Sequence, residues 1–343
     1  MRETEHVEHL VEIARRLHET RVPILADGTR SEIALVDAFV AGLRTRYATT
    51  DGPVRDVDWD LEAEANVDWA TGQLEPFLVD KDDGVRAYAA LLQDALEHLR
   101  AVRAERNTTI RAALGGVRAI AFDVGETLVD ETRAWVAWAD WLGIPRLTFL
   151  AVCGAVIARG GADHREPFRI FRPGLDVADE IKFREMAGMP DTILRSDLYA
   201  DAIPSLQGLR DAGFRLAVVG NQPASATAAL RALDLPVDLL GTSGEWGVQK
   251  PDVAFFARLA QELKLSAGEV AYVGDRLDND VRPAASAGMV AVFLRRGPWG
   301  WIQAPGEEPP EAAVTLTSLG ELPAALTTRG PSRQTPAMRG GRG

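Results

Sequence analysis

Of the 343 residues, one is a cysteine, Cys153. A single thiol cannot close an internal disulfide or build a cysteine-rich metal site, and this scarcity suits a reducing compartment. Cys153 lies in the apolar run 147–157, where a small buried hydrophobe is the expected role. Positive charge is also scarce: 38 Lys and Arg stand against 50 Asp and Glu, for a formal net charge of -12 and a pI of about 5.0. Nucleic acid and anionic membrane surfaces both recruit basic surfaces, so neither is expected as a partner. A local basic pocket for one phosphate remains compatible with the composition. No apolar stretch reaches the length of a membrane span. The opening MRETEHVEHL is acidic and amphipathic, unlike a secretion signal. These absences predict a cytoplasmic protein. The basic residues are nearly all arginine, a composition typical of a GC-rich bacterial genome.

What the chain does contain is four short segments: IAFDVGETLVDE (120–131), LAVVGNQP (216–223), GVQKPD (247–252) and VAYVGDRLDNDV (270–281). The first, second and fourth begin as apolar runs and end in polar clusters. A buried parallel strand reads this way when its carboxyl end opens into a site. Ligands of open α/β sheets bind outside those ends. Asp123, Asn221, Asp275 and Asp280 are therefore expected to meet in one crevice, with Lys250 reaching in from a loop. Three carboxylates and one ammonium suggest a divalent cation and an anionic substrate.

Strand candidates are 117–122, 214–219, 237–240, 270–273 and 290–294, with helices between the later ones at 224–233 and 253–263. Alternation of this kind predicts a doubly wound parallel sheet. Residues 113–326 form the expected α/β domain. The stretch from about 131 to 200 is too long for a simple crossover and is rich in helical signal and Trp, so it reads as an inserted helical cap. Residues 1–112 read as a mainly helical domain of unknown role. Its helices are expected over 1–19, from a cap at Ser31, and over about 84–106, where Tyr88, Leu91, Leu92, Ala95, Leu96 and Leu99 form an apolar stripe. Residues 327–343 (TRGPSRQTPAMRGGRG after Thr327) have the composition of a disordered tail.

The chemistry follows from residue types. A carboxylate at a strand end, here Asp123, can attack phosphorus and form an aspartyl-phosphate. Mg²⁺ would offset the repulsion between that carboxylate and phosphate oxygens, and it takes hard oxygen ligands. Asp123 and Asp275 are candidate direct ligands. Asp280 would ligate, act through water or orient a neighbour, and the Val124 or Gly125 carbonyl would add a neutral oxygen. Lys250 can neutralise the phosphoryl group and hold Asp123 ionised. Asn221 and Thr127 can donate hydrogen bonds to phosphoryl oxygens, with Gly220 beside them at the substrate. Arg165 and Arg169, in the basic stretch 164–172, are candidates to grip a second anionic group.

FDVGETL, VVGNQ, QKPD and VGDRLDND resemble the four motifs of the haloacid-dehalogenase-like (HAD) hydrolase superfamily, over about residues 117–300. The resemblance implies Asp123 as nucleophile, Asp275 as a Mg²⁺ ligand with Asp280 beside it, Lys250 as stabiliser of the phosphoryl intermediate, and a substrate-selecting cap after the first motif. Most such members are phosphatases of small metabolites. Two positions depart from the pattern. Gly125 stands where the family's phosphatases usually carry a second Asp as general acid and base, and Gly220 stands where Thr or Ser usually precedes the Asn. Glu126 is expected to point elsewhere, leaving a cap residue or water to supply the proton. Dehalogenation would leave Asp275 and Asp280 without a task. Phosphonate cleavage would need a Schiff-base lysine from the insertion, which offers Lys182.

The expected function is Mg²⁺-dependent hydrolysis of a small phosphorylated metabolite. The alternative is a catalytically weak or inactive HAD-like protein acting as a binding or regulatory module. The N-terminal helices would then be its working surface; in either case they are candidates for homodimer or partner contact. Asp56, Asp58 and Asp60 resemble the opening of a calcium loop, but Leu61 and Val67 occupy the positions that need Gly and Glu, so the run reads as an acidic linker. His6, His9 and His18 read as surface residues. Trp299 and Trp301, in a Gly/Pro loop, are expected either to anchor the N-terminal helices or a partner, or to cover the sheet end.

Overall fold

The computed structural model describes residues 71–72, 74–81, 83–160, 165–306 and 308–327. The helices expected over 1–19 and from Ser31, the acidic run 56–60, the histidines at 6, 9 and 18, and the tail from 328 lie outside the described residues.

Six strands form one parallel sheet in the order β3-β2-β1-β4-β5-β6. They are β1 (Ala119–Phe122), β2 (Arg215–Gly220), β3 (Leu239–Thr242), β4 (Val270–Gly274), β5 (Val290–Leu294) and β6 (Val314–Leu316). The five expected strand segments all form, with ends displaced by at most about two residues, as is usual for element boundaries. β6 is an addition. Its three residues, VTL, are too short to carry a periodic signal. β1 and β4 are buried along their whole length because helices cover both faces of the sheet. Ile120, Phe122, Val218 and Val273 face Leu206 and Leu209 of the helix Ala202–Asp211. Ala119, Ala121, Ala217 and Tyr272 face Phe255, Phe256 and Leu259 of the helix Val253–Leu263.

The chain leaves β1 to build β2 and β3 on one side, then returns to place β4 on the other. This reversal between β1 and β4 is a topological switch point, where a crevice opens at the carboxyl ends of the strands. Phe122 is in register with Val218 of β2 and Val273 of β4. The residues that follow these strands therefore emerge at the same end of the sheet.

Among the described residues between β1 and the helix Ala202–Asp211, the chain forms four α-helices, Thr132–Leu142, Arg146–Ala158, Glu166–Phe171 and Val177–Met186, and a 3₁₀ turn, Arg195–Asp197. The first three share an aromatic cluster, against which Val177 and Arg184 of the fourth pack. Trp138 meets Phe168 edge-on at 4.9 Å between centroids, and Phe149 packs on both Phe168 (5.6 Å) and Phe171 (5.7 Å). Cys153 is buried in this cluster, and burial pushes its thiol up to about 11. A thiol that is neutral at physiological pH is a packing residue rather than a nucleophile. Trp299 belongs to a helix, Gly297–Gln303, and lies 6.5 Å from Trp135. That segment packs against the inserted helices at the sheet end.

The expected N-terminal helix spans Asp83–Ala113 and so runs on beyond residue 106. Tyr88, Leu91, Leu92, Ala95 and Leu96 are buried as a stripe. Its last turns dock on the outer edge of the sheet domain, where Arg106 Nε donates to Glu321 Oε2 at 2.8 Å and Arg111 Nε donates to the Ala325 carbonyl at 2.6 Å. Among the described residues no single helix is long and apolar enough to cross a membrane.

Candidate active site

Asp123 is the first residue beyond β1, and its N–H still donates to the Val273 carbonyl of β4 at 2.9 Å. The sheet ladder thus sets the position of its carboxylate. Lys250, 2% exposed, reaches it from the loop before the helix Val253–Leu263. Its Nζ stands 2.7 Å from Asp123 Oδ1 and 2.6 Å from Asp280 Oδ1. Burial by itself would lower the lysine's pKa, but the charges of Asp123 and Asp280 outweigh it and raise the pKa well above the usual value. The two carboxylates thus favour the ammonium form of Lys250.

The Asn221 carboxamide is held by the backbone of Lys250: its Nδ2 donates to the Lys250 carbonyl, and its Oδ1 accepts from the Lys250 N–H, both at 2.8 Å. The sequence suggested that this side chain would face the phosphoryl group. The structure has it joining the end of β2 to the lysine loop, because the two segments run side by side and their backbone groups need partners.

Asp275 follows β4 directly, and Asp280 folds back over the strand end through a π-helical turn, Leu277–Val281. Such turns are frequent at functional sites. Asp280 is committed on both oxygens, Oδ1 to Lys250 and Oδ2 to the Arg276 N–H at 3.1 Å. The fold-back needs a residue without a side chain beneath it: a Cβ on Gly274 would lie 2.6 Å from the Asp280 Cβ. Gly274→Ala is therefore expected to displace Asp280 and loosen Lys250. Its stability cost is about 1–3 kcal/mol, measured by urea unfolding. Gly220 is confined in the same way, since a Cβ there would stand 2.7 Å from Asp123 Oδ1.

One ligand oxygen from each of Asp123, Asp275 and Asp280 lies within 4.8 Å of the others, and all three residues are buried. Three carboxyl groups crowd around one ammonium, an excess of acid over base at this spot. Burial, then Asp280 and Asp123, push Asp275 well above the carboxylate range. Its Oδ2 is buried without a hydrogen-bond partner. A phosphate dianion could not enter such a site unaided, whereas a hard divalent cation would satisfy the orphaned oxygen and reverse the local field. The donor set fits Mg²⁺. Of the two candidate carbonyls, that of Val124 already accepts from the Leu128 and Val129 N–H groups at 2.9 and 3.0 Å. The Gly125 carbonyl has no such partner among the described residues. The Thr127 hydroxyl, fully buried, is likewise without a partner.

Glu126 takes a left-handed backbone (φ 51°), and its carboxylate turns away to the base of the insertion, accepting from Tyr199 OH at 2.6 Å and from the Glu131 N–H at 3.0 Å. Glu131 received no role from the sequence. Its carboxylate lies over Gly125, where a Cβ would stand 2.8 Å from the Glu131 Cδ. Burial, then the charges of Glu126 and Asp123, push its pKa up to about 7. Only its place as the last residue of the segment 120–131 hinted at this position.

Arg165 and Arg169 are exposed, beside and on the short helix Glu166–Phe171, whose Pro167 and Phe168 are buried. Lys182 is also exposed and pairs with Asp179 at 2.8 Å, which raises its pKa. A Schiff-base lysine needs the opposite, a pKa lowered by an apolar or cationic setting.

A sequence profile described as haloacid dehalogenase-like hydrolase matches residues 117–288. A glyceraldehyde 3-phosphate phosphatase of Methanopyrus kandleri is 29% identical over 203 residues, covering 53% of this chain and 85% of the relative. One of the same name from Methanocaldococcus jannaschii is 37% identical over 81 residues, covering 24% and 34%. Among solved structures, a HAD phosphatase from Thermococcus onnurineus matches with a TM-score of 0.40 at 24% identity, covering 60% of this chain and 96% of that one.

Proposed function

The chain belongs to the haloacid dehalogenase-like hydrolase family, and from that premise we propose that it is a Mg²⁺-dependent phosphohydrolase of a small phosphorylated metabolite. The observation that carries this reading is the buried Asp123–Lys250–Asp280 array next to Asp275, whose second oxygen has no partner. Asp123 is the nucleophile. Lys250, 2.7 Å away, positions it and offers positive charge to the phosphoryl oxygens as the aspartyl-phosphate forms. Asp280, with both oxygens engaged, acts by aiming Lys250, and Asn221 fixes the backbone that carries it. Asp123, Asp275 and the Gly125 carbonyl would hold Mg²⁺, which when bound supplies charge neutralisation for the phosphoryl group. Thr127 is available to donate to a phosphoryl oxygen. Arg165 and Arg169 are the proposed contacts for a second anionic group of the substrate. The relatives named glyceraldehyde 3-phosphate phosphatase support a small phosphate ester as the substrate class.

The test is hydrolysis of an aryl phosphate by the full chain with and without chelator. Metal is worth several kcal/mol in such reactions, so EDTA is expected to lower the rate by at least about 10²-fold, with Mg²⁺ restoring it. A rate indifferent to EDTA would contradict the reading.

A further inference from the structure

Hydrolysis of a phosphate ester leaves an electron pair on the departing oxygen, and an alcohol leaves readily only if that oxygen is protonated as the bond breaks. Asp123 and Asp275 are reserved for attack and for the cation. Asp280 is committed to Lys250 and the Arg276 N–H. Asp278 accepts from Arg276 and Gln303. Glu126 faces Tyr199. Glu131 is different: among the described residues the one hydrogen bond its carboxylate accepts is a long one, 3.3 Å, from Trp135 Nε1.

Its position is defined by the backbone on both sides. Its N–H donates to Glu126 Oε1, and its carbonyl accepts from the Trp135 N–H at 3.0 Å as the first inserted helix begins. The carboxylate is thereby carried back over Gly125, two residues from Asp123. A Cβ at 125 would collide with Glu131 Oε1 and lie 2.8 Å from its Cδ. The space that a side chain at 125 would use is filled by a carboxyl group delivered from another part of the chain.

We infer that Glu131, the residue that opens the inserted helices, is the proton donor and acceptor of the reaction, standing in the place that Gly125 leaves vacant. The inference rests on the phosphohydrolase reading. In the first half-reaction Asp123 Oδ bonds to phosphorus, the ester P–O bond breaks, and the leaving oxygen takes the proton of the Glu131 carboxyl. In the second, Glu131 carboxylate removes a proton from water as the water oxygen bonds to phosphorus. The Asp123–phosphorus link breaks, releasing inorganic phosphate and returning both side chains to their starting forms. The place of Glu131 at the root of the inserted helices also means that any displacement of those helices moves the acid with them.

The test uses the full chain with Mg²⁺ and a series of phenyl phosphates of similar shape, from 2,4-dinitrophenyl to unsubstituted phenyl. General acid catalysis is worth roughly 10²–10⁴-fold, and it matters most for the poorest leaving group. Glu131→Gln is expected to lose at least about 10²-fold more kcat on phenyl phosphate than on dinitrophenyl phosphate. The double variant Glu131→Ala/Gly125→Asp, in which the new carboxylate occupies the vacated space, is expected to recover much of the lost ratio. Gly125→Asp by itself, with Glu131 still in the way, is expected to lower activity. Equal losses on both substrates, no loss on either, or a wild-type enzyme that cleaves only the dinitrophenyl ester would each overturn the role of Glu131 while leaving the phosphohydrolase reading in place. Failure of the wild-type enzyme on every ester would remove both. A thermal melt of each variant separates misfolding from lost chemistry, and the double variant supplies a second reading if Glu131→Gln folds poorly.

Discussion

Asp123→Asn is expected to lower kcat for phosphate ester hydrolysis by about 10⁴-fold or more, the scale seen when a catalytic nucleophile is removed. The amide matches the carboxylate in shape but cannot form an acyl phosphate under these conditions. Loss of activity should not come from loss of structure. The backbone N–H of residue 123 still reaches the Val273 carbonyl, and Lys250 keeps Asp280 as a partner at 2.6 Å. Removing Asp123's charge also relieves its repulsion of Asp275 and Asp280, so the metal-free variant should melt at or above the wild-type temperature. Steady-state kinetics and a thermal melt, both on the full chain, check the two halves. A variant that retains hydrolysis within tenfold would exclude Asp123 as nucleophile.

Lys250→Met is expected to act in the other direction on stability. Its ammonium is the buried cation between Asp123 and Asp280. Breaking a buried pair by removing one partner costs about 3–5 kcal/mol, because the remaining charge is left without compensation. The sign with pH follows from Asp275 and Asp280, whose folded-state pKa values are already raised, first by burial. A carboxyl raised in the folded state contributes most at low pH, and that contribution is lost as pH rises through the folded value. The penalty of Lys250→Met should therefore shrink toward acid pH and be full at alkaline pH. On the proposed metal role, Mg²⁺ would bind the folded site and not the unfolded chain, so added Mg²⁺ should restore part of the stability, more at higher concentration. Asp280→Asn added to Lys250→Met should recover more, since it removes one stranded charge. Urea unfolding across pH, with and without Mg²⁺, measures all three effects.

Much of this site was legible before any fold was known. Apolar runs ending in Asp123, Asn221 and Asp275 identify strand ends, because burial on both faces of a parallel sheet writes a local, contiguous signal. Once the strands are parallel, their ends share one edge, and the convergence of Asp123 with Asp275 follows. Lys250 was legible through its company rather than through its own surroundings. The direction of Asn221 was not legible, since whether an amide faces a ligand or a neighbouring loop depends on how closely two loops run. β6 was missed because three residues carry no period. For Asp280 the sequence leaves three roles open, one of them orienting a neighbour, and its engagement on both oxygens depends on a π-helical turn over a glycine.

Sequence alone determined the order of the strands' apolar runs, the acid-rich strand ends, the lysine among them and the presence of a long helical insertion. All of these are written in neighbouring residues, where periodicity and burial act locally. Only the tertiary structure decided which carboxylates touch Lys250, which oxygen of Asp275 is left without a partner, and that Glu131 fills the space above Gly125. The first two depend on the turn Leu277–Val281 over Gly274, and the third on a left-handed turn at Glu126 and on where the inserted helices leave the sheet. A path through space is set by the packing of distant segments, and no stretch of adjacent residues encodes it.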